Sequence, residues 1–355
     1  MSGDTCSIMS LRFNQDGGCF VCATSNGFLI FNTDPLREKQ RIFWKDGGVG
    51  CAEMLFRCSH LALVGGGVPA RYPVNKVVIW NGATQSELFE MQFESLVKNV
   101  RLRKDRIVVV LETLIKVYTF DLNPLEQERF ESCLNPHGLC AVCAVEANPI
   151  IAYPGPKVGQ LAIASLGSGM PAEYICAHES SLCSIALSKK GDLVATASEK
   201  GTLIRVFNTH YKAQVEEFRR GTQPALIYSI NFNQPGNLVC VSSDRGTLHI
   251  FNLKNSTPNN NSGGRYGRSG SISKRLGQAK TSSGKIELKC GGLPVYCEFS
   301  TLDDKSIIAI SLAGDYNKFI ANDTEGSLSW TRDFSENVLS PRDVFTSFPH
   351  VPTVG

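Results

Sequence analysis

The chain has 355 residues, 42% hydrophobic and 19% charged, which is ordinary globular composition and ample for a sizeable core. Its net charge of +3 is too small to point to nucleic acid by itself. The 13 cysteines are odd in number and many sit in apolar runs, the opening residues lack the basic and apolar regions of a signal peptide, and no stretch nears the ~18 apolar residues of a membrane-spanning helix. The expectation is a reducing, cytoplasmic compartment with cysteines used as small core hydrophobes.

Taken in order, the chain repeats itself. Ser25–Asn32 (SNGFLIFN) is a tight glycine turn followed by an alternating strand that ends in aromatic-Asn. Asn75–Asn81 (NKVVIWN), Lys200–Asn208 (KGTLIRVFN) and Arg245–Asn252 (RGTLHIFN) are further copies, and Thr113–Phe120, Val158–Ala164 and Gly314–Ile320 are weaker ones. Two short apolar strands precede each copy, joined by turn signals such as Gly191-Asp192 and Pro235-Gly236. A period of about 40–45 residues with four strands per unit is the signature of a WD-repeat propeller. The Trp-Asp dipeptide never occurs; aromatic-Asn replaces it. The predicted fold is all-β, a single seven-bladed WD-repeat β-propeller over residues 1–330.

One interval is longer than the rest. An insertion from Lys254 to Lys285 is rich in Asn, Ser and Gly, and its composition predicts a disordered loop. Residues 331–355 read as a flexible C-terminal tail.

No enzymatic constellation is visible: there is no nucleophile elbow, no P-loop and no metalloprotease motif. Cys19-x-x-Cys22 and Cys140-x-x-Cys143 have metal-ligand spacing, but each lies in a predicted strand, where residues three apart face opposite ways. Core packing is the reading for both. No metal, cofactor or catalytic residue is therefore expected. Gly65–Gly67 follows a strand without a helix behind it and reads as a turn.

The unusual motif is Phe218-Arg219-Arg220-Gly221, between the fifth and sixth repeats. On an extended backbone the two arginines point to opposite sides, one against each neighbouring blade. Guanidinium binds phosphate bidentately, so the pair suits two separate anions. The alternative is that both arginines pair internally with Glu216, Glu217 or an acid of another blade. Around them, His178, Thr196, Ser198, Lys200, Thr202 and Arg205 on one side, and Ser242, Ser243, Arg245, Thr247 and His249 on the other, supply hydroxyls and cations at matching repeat positions.

Phe218–Gly221 resembles the FRRG signature of the PROPPIN family, the WD-repeat phosphoinositide-interacting (WIPI) proteins of autophagy. Phe13–Asp16, Met54–Arg57, Leu61–Gly67, Asn75–Trp80, Arg106–Val110, Ala195–Phe207 and Ser242–Phe251 resemble that family too, from about residue 7 to residue 322. The resemblance implies a seven-bladed propeller with two sites for phosphatidylinositol 3-phosphate or the 3,5-bisphosphate. Carried over by position, the first site is His178, Ser198, Thr202, Arg205 and Arg219, and the second is Arg220, Ser243, Thr247 and His249. Gln223 stands where some members have His.

The resemblance also implies a membrane-contact loop in blade six. Here that is the insertion, whose cations are Lys254, Arg265, Arg268, Lys274, Arg275, Lys280 and Lys285, with no acid. Cations beside an anionic leaflet gain ~1 kcal/mol each, and with only Tyr266, Ile272 and Leu276 as large apolar residues the loop suits electrostatic adhesion. Family likeness further implies an autophagy lipid-transfer protein as partner, with Asn14 and Asp16 as candidate contacts. The expected protein is a monomeric peripheral membrane effector, cytoplasmic and associated with the preautophagosomal structure and endosomes. A WD-repeat protein-interaction scaffold without lipid binding is the rival reading.

Overall fold

The second strand of each repeat is a near-continuous apolar run rather than an alternating one, as in Cys19–Thr24 (CFVCAT), Arg106–Val110 (RIVVV) and Ser306–Ser311 (SIIAIS). Such a strand is stable only when both of its faces are covered. The computed structural model supplies both covers. It describes residues 6–253, 279–288, 292–303, 305–324 and 327–339. Every regular element among these is a strand, and the strands form seven sheets.

Blade one is Ile8–Phe13, Cys19–Thr24, Gly27–Asn32 and Arg37–Phe43, each strand antiparallel to the next. Blades two, three and four repeat this order over Val49–Gln92, Asn99–Glu131 and Ala141–Cys176. Blade five comprises Leu182–Leu187, Leu193–Ser198, Leu203–Asn208 and Gln214–Arg219. Blade six comprises Ile227–Phe232, Leu238–Ser243, Thr247–Asn252 and Gly284–Glu287, and blade seven Val295–Phe299, Ser306–Ser311, Asp315–Thr324 and Ser327–Asn337. The seven repeated segments all coincide with third strands. Two of their terminal asparagines close the turn that follows: Asn208 Oδ1 accepts from the His210 and Tyr211 amides at 2.9 and 2.8 Å, and Asn81 Oδ1 does the same for Ala83 and Thr84.

Each pair of neighbouring blades encloses its own apolar cluster. Cys19 packs in the cluster between blades one and two, and Cys22 in the cluster between blades seven and one, on the opposite face of the same strand. The ring closes without a shared strand. Phe20, Leu29 and Phe31 pack on Ile308, Ile310 and Tyr316, and the Tyr316 hydroxyl donates to the Thr33 carbonyl at 2.7 Å. Lys318 pairs with the buried Asp34 at 2.9 Å across the same seam.

Two expected boundaries move. Blade seven's outer strand runs to Asn337, past residue 330, because its partner Asp315–Thr324 is long enough to pair Asp315 with Asn337. The insertion also ends earlier than read. Lys280–Thr281 lies parallel to the outer strand of blade five, and Gly284–Glu287 is the outer strand of blade six.

Candidate functional site

The outer strand of blade five, Gln214–Arg219, carries the arginine motif to the rim. Phe218 is 1% exposed and stacks on Phe251 of blade six at 4.7 Å between ring centroids, anchoring the motif in the cluster between blades five and six. Neighbours on a strand alternate faces. Arg219 pairs with Leu203, and Glu217 with Arg205, so these four share the face turned to blade four. The following residue, Arg220, lies on the blade-six side.

On the first side, Arg205 is opposite Thr196, whose own strand ends in Ser198 two residues on. His178 Nε2 and Thr196 Oγ1 are 2.9 Å apart. Burial, reinforced by the Arg205 charge, lowers the His178 pKa to about 4. Arg205 Nε donates to Glu217 Oε2 at 2.7 Å, and its Nη1 donates to the Ala177 carbonyl at 2.6 Å. Thr202 sits in the turn before the third strand, and its carbonyl accepts the Arg220 amide at 2.9 Å. Arg219 is exposed, and among the described residues its side chain forms no ion pair.

On the second side, Arg220 is 8% exposed. Its Nε donates to the Gly201 carbonyl at 2.8 Å, and its Nη2 donates to the Gln223 carbonyl. Gly201 has φ +58°, and a Cβ there would collide with the Ala225 carbonyl, so the turn that presents this acceptor needs glycine. Burial lowers the Arg220 pKa. Thr247 is opposite Ser243, and His249 opposite Val241, so Ser243, Thr247 and His249 share the face turned to blade five. Burial, then Arg220 and Lys285, lowers the His249 pKa to about 4. His249 Nδ1 and Ser243 Oγ are buried without a hydrogen-bond partner.

The nine residues predicted for the two sites therefore fall into two clusters on either side of one strand. Of the flanking candidates, Ser242 belongs elsewhere: its hydroxyl donates to Val295 of blade seven at 2.5 Å. The acids named as alternative partners are held by other cations, Glu217 by Arg205 and Glu216 by Lys280 at 2.5 Å.

Two loop cations change role. Lys280 is tied down by Glu216 in the added parallel strand, and Lys285 lies opposite His249 in the blade-six sheet. Lys254, Arg265, Arg268, Lys274 and Arg275 lie outside the described residues. Asn14 is also corrected. It is 4% exposed, accepts the Cys19 amide at 3.0 Å and donates to the Phe56 carbonyl at 3.0 Å. Asn233 and Ser188 make the equivalent turn in blades six and five, so Asn14 closes a hairpin rather than facing a partner. Asp16 reaches the surface and pairs with Arg57 at 3.0 Å.

Sequence reasoning missed the ion pairing of Arg205 by Glu217 and the place of Lys285. Glu217 stands two residues before Arg219, the spacing that puts both on one face, but its pairing with Arg205 depends on the register between two strands. A cavity of about 550 Å³ lies among the innermost strands, lined by Arg12, Glu53 and Arg101 among others and not by the arginine pair. There Arg12 and Arg101 share Glu53 at 3.8 and 3.3 Å, a structural ion-pair network of the innermost strands. No described helix is long and apolar enough to cross a membrane.

The family model described as PROPPIN matches residues 7–281. SVP1-like protein 2 of Saccharomyces cerevisiae is 36% identical over 287 residues, covering 70% of this chain and 63% of the relative. The chain thus spans less than two thirds of that protein. Autophagy-related protein 18 of Dictyostelium discoideum is 35% identical over 289 residues, covering 81% of this chain and 73% of the relative. Among solved structures, Kluyveromyces lactis Hsv2 superposes with a TM-score of 0.77 at 23% identity, over 94% of this chain and 99% of that one. A structure titled as the complex of KlAtg21 with the coiled-coil of AgAtg16 matches with a TM-score of 0.76 at 23% identity, over 93% and 99%. At these identities the structural likeness is one of fold.

Proposed function

The chain belongs to the PROPPIN family, and from that premise we propose that it is a non-catalytic effector of autophagy that attaches peripherally to membranes bearing phosphatidylinositol 3-phosphate or the 3,5-bisphosphate. The observation that carries this reading is the parting of Arg219 and Arg220 to two faces of blade five, Arg219 to the face that carries Arg205 and Arg220 to the side of His249. The first headgroup site is His178, Ser198, Thr202, Arg205 and Arg219; the second is Arg220, Ser243, Thr247 and His249. Two weak pockets on one rigid rim bind a bilayer with avidity, because the first contact raises the effective concentration of the second. The basic insertion beside them adds attraction to anionic lipid.

Recruitment of autophagy machinery to that membrane completes the proposal, and the pair of half-buried Asp16 and exposed Arg57 on blades one and two is a candidate docking point. The rival, a scaffold that binds no lipid, draws on the Arg205–Glu217 ion pair and the carbonyl bonds of Arg220, which give both arginines internal structural work.

Co-sedimentation with vesicles separates the two. The parent protein is expected to pellet with vesicles carrying either 3-phosphorylated lipid and not with vesicles of phosphatidylinositol. Arg219→Ala and Arg220→Ala are each expected to weaken this, and the double variant to abolish it. A parent that pellets with neither 3-phosphorylated vesicle would establish the scaffold reading, and a double variant that pellets as well as a binding parent would overturn the site assignment.

A further inference from the structure

The two sites are not equivalent, and we infer that the first takes a headgroup with one phosphate monoester whereas the second, where Lys285 joins Arg220 beside His249, takes one with two. This rests on the lipid-binding reading above and adds a division of labour within it.

The first site carries its own counter-ion. Arg205 and Glu217 pair at 2.7 Å with side chains only 25% and 22% exposed, so a carboxylate sits within the face that must receive the anion. Arg205 is further bound by the Ala177 carbonyl. Among the described residues, Arg219 is left as the one cation of this cluster without a carboxylate. His178 is already engaged by Thr196, at 2.9 Å. A phosphate monoester carries about −1.5 to −2 charge at neutral pH, so a second one would meet one uncompensated guanidinium and one carboxylate.

The second site is arranged the other way. The bonds of Arg220 are to carbonyl oxygens, which leave its charge uncompensated. The nearby Asp244 is itself within 3.9 Å of Arg245. Lys285 is directly opposite His249 in an antiparallel pair, and opposite residues share a face. It therefore adds a second cation to the face that carries His249, Thr247 and Ser243. Its own acid, Glu287, is 3.5 Å away but 85% exposed, and an ion pair in solvent contributes little. Independently, His249 Nδ1 and Ser243 Oγ are buried on this face with no partner, in residues only 7% and 2% exposed. Unmatched buried polar atoms are costly and call for a hydrogen-bonding ligand. Among the described residues, the first site thus offers one cation without a carboxylate, and the second offers two cations and two buried polar atoms without a partner.

The experiment compares vesicles bearing the 3-phosphate or the 3,5-bisphosphate lipid, matched in total charge with phosphatidylserine, and repeats each titration with short-chain soluble forms of the two lipids. Arg219→Ala, which leaves the second site, is expected to favour the bisphosphate about tenfold, the size of one charge-assisted contact. Adding Lys285→Gln to Arg219→Ala should bring that ratio close to one. The milder Lys285→Gln and Ser243→Ala changes in the parent should lower bisphosphate affinity and spare the monophosphate. Equal affinities in Arg219→Ala, or a ratio untouched by Lys285→Gln, would overturn the inference while the lipid-binding reading stood. A ratio seen on vesicles and absent with the soluble lipids would assign it to the bilayer and overturn it too. A parent that binds neither lipid defeats the lipid-binding reading itself, and with it this one.

Discussion

Arg219 and Arg220 adjoin in sequence and part in space: Arg219 is exposed at the end of blade five's outer strand, whereas Arg220 is 8% exposed and donates to the Gly201 carbonyl at 2.8 Å. Their substitutions should therefore differ in stability before any ligand is added. Arg219→Ala is expected to leave urea unfolding unchanged, because its side chain contributes no ion pair among the described residues. Arg220→Ala frees the buried Gly201 carbonyl and the part-buried Gln223 carbonyl and should cost about 1–3 kcal/mol. Equal unfolding midpoints for the two variants would contradict the difference in burial.

Phe218 is the motif's anchor and not a ligand. It is 1% exposed and stacks on Phe251, so truncation opens a cavity between blades five and six. Phe218→Ala should cost about 3–5 kcal/mol, and Phe218→Leu, which keeps most of the volume, distinctly less. A Phe218→Ala protein with parental stability and lost lipid binding would show that the ring acts on the ligand instead.

Burial lowers both His178 and His249 to about 4 in the folded chain, against about 6.5 for an ordinary histidine. Below 6.5 the unfolded chain takes up protons that the native chain refuses. Native stability is then fully present above 6.5 and is lost as pH falls toward 4. Thermal unfolding followed between pH 7.5 and 4.5 should show that decline, and the His249→Gln variant a shallower one. Lipid affinity should not rise between pH 7.5 and 6, since both rings stay neutral there while the lipid phosphate, with a second pKa near ~6, begins to lose charge. An affinity that climbs on acidification, and ceases to climb in the histidine variants, would refute the neutral assignment.

The repeat pattern revealed the blades because third strands follow tight turns and four of them, in blades one, two, five and six, end at an asparagine, and these are local signals. The two-sided burial of the second strands was not legible as alternation, since a strand covered on both faces loses its period of two. The division of Arg219 from Arg220 followed from strand geometry alone. The partner of Arg205 depends on pairing Leu203–Asn208 with Gln214–Arg219, a register with a bulge between Val206 and Phe207 that no short motif announces. Asn14 misled because a turn-closing asparagine and a surface asparagine are the same letter. Its place before the blade-one hairpin, matching Asn233 and Ser188 in later blades, was the available clue. Lys280 and Lys285 belonged by composition to the insertion, yet the sheets of blades five and six take them as edge strands.

The end of the insertion is bound to the propeller by three features. Lys280–Thr281 pairs in parallel with Phe218–Arg219, the Lys280 ammonium lies 2.5 Å from Glu216, and Ser283 donates to the Ile250 carbonyl from its amide at 2.8 Å and its hydroxyl at 3.0 Å. Two deletions separate these bonds from the rest of the basic segment. Removing residues 255–278 takes away Arg265, Arg268, Lys274 and Arg275 and none of those contacts. It should leave the unfolding midpoint unchanged and weaken binding to anionic vesicles, more at low salt, where exposed charges act over a longer screening length. Extending the deletion to residue 283 also strips the edge of blade five and removes the Lys280 ammonium from Glu216, whose side chain is 10% exposed. That variant should be less stable by about 1–3 kcal/mol. It should also bind a soluble short-chain lipid differently from the shorter deletion, because Thr281 is the backbone neighbour of Arg219. If the two deletions match in stability and in soluble-lipid affinity, the added strand plays no part in holding the first site.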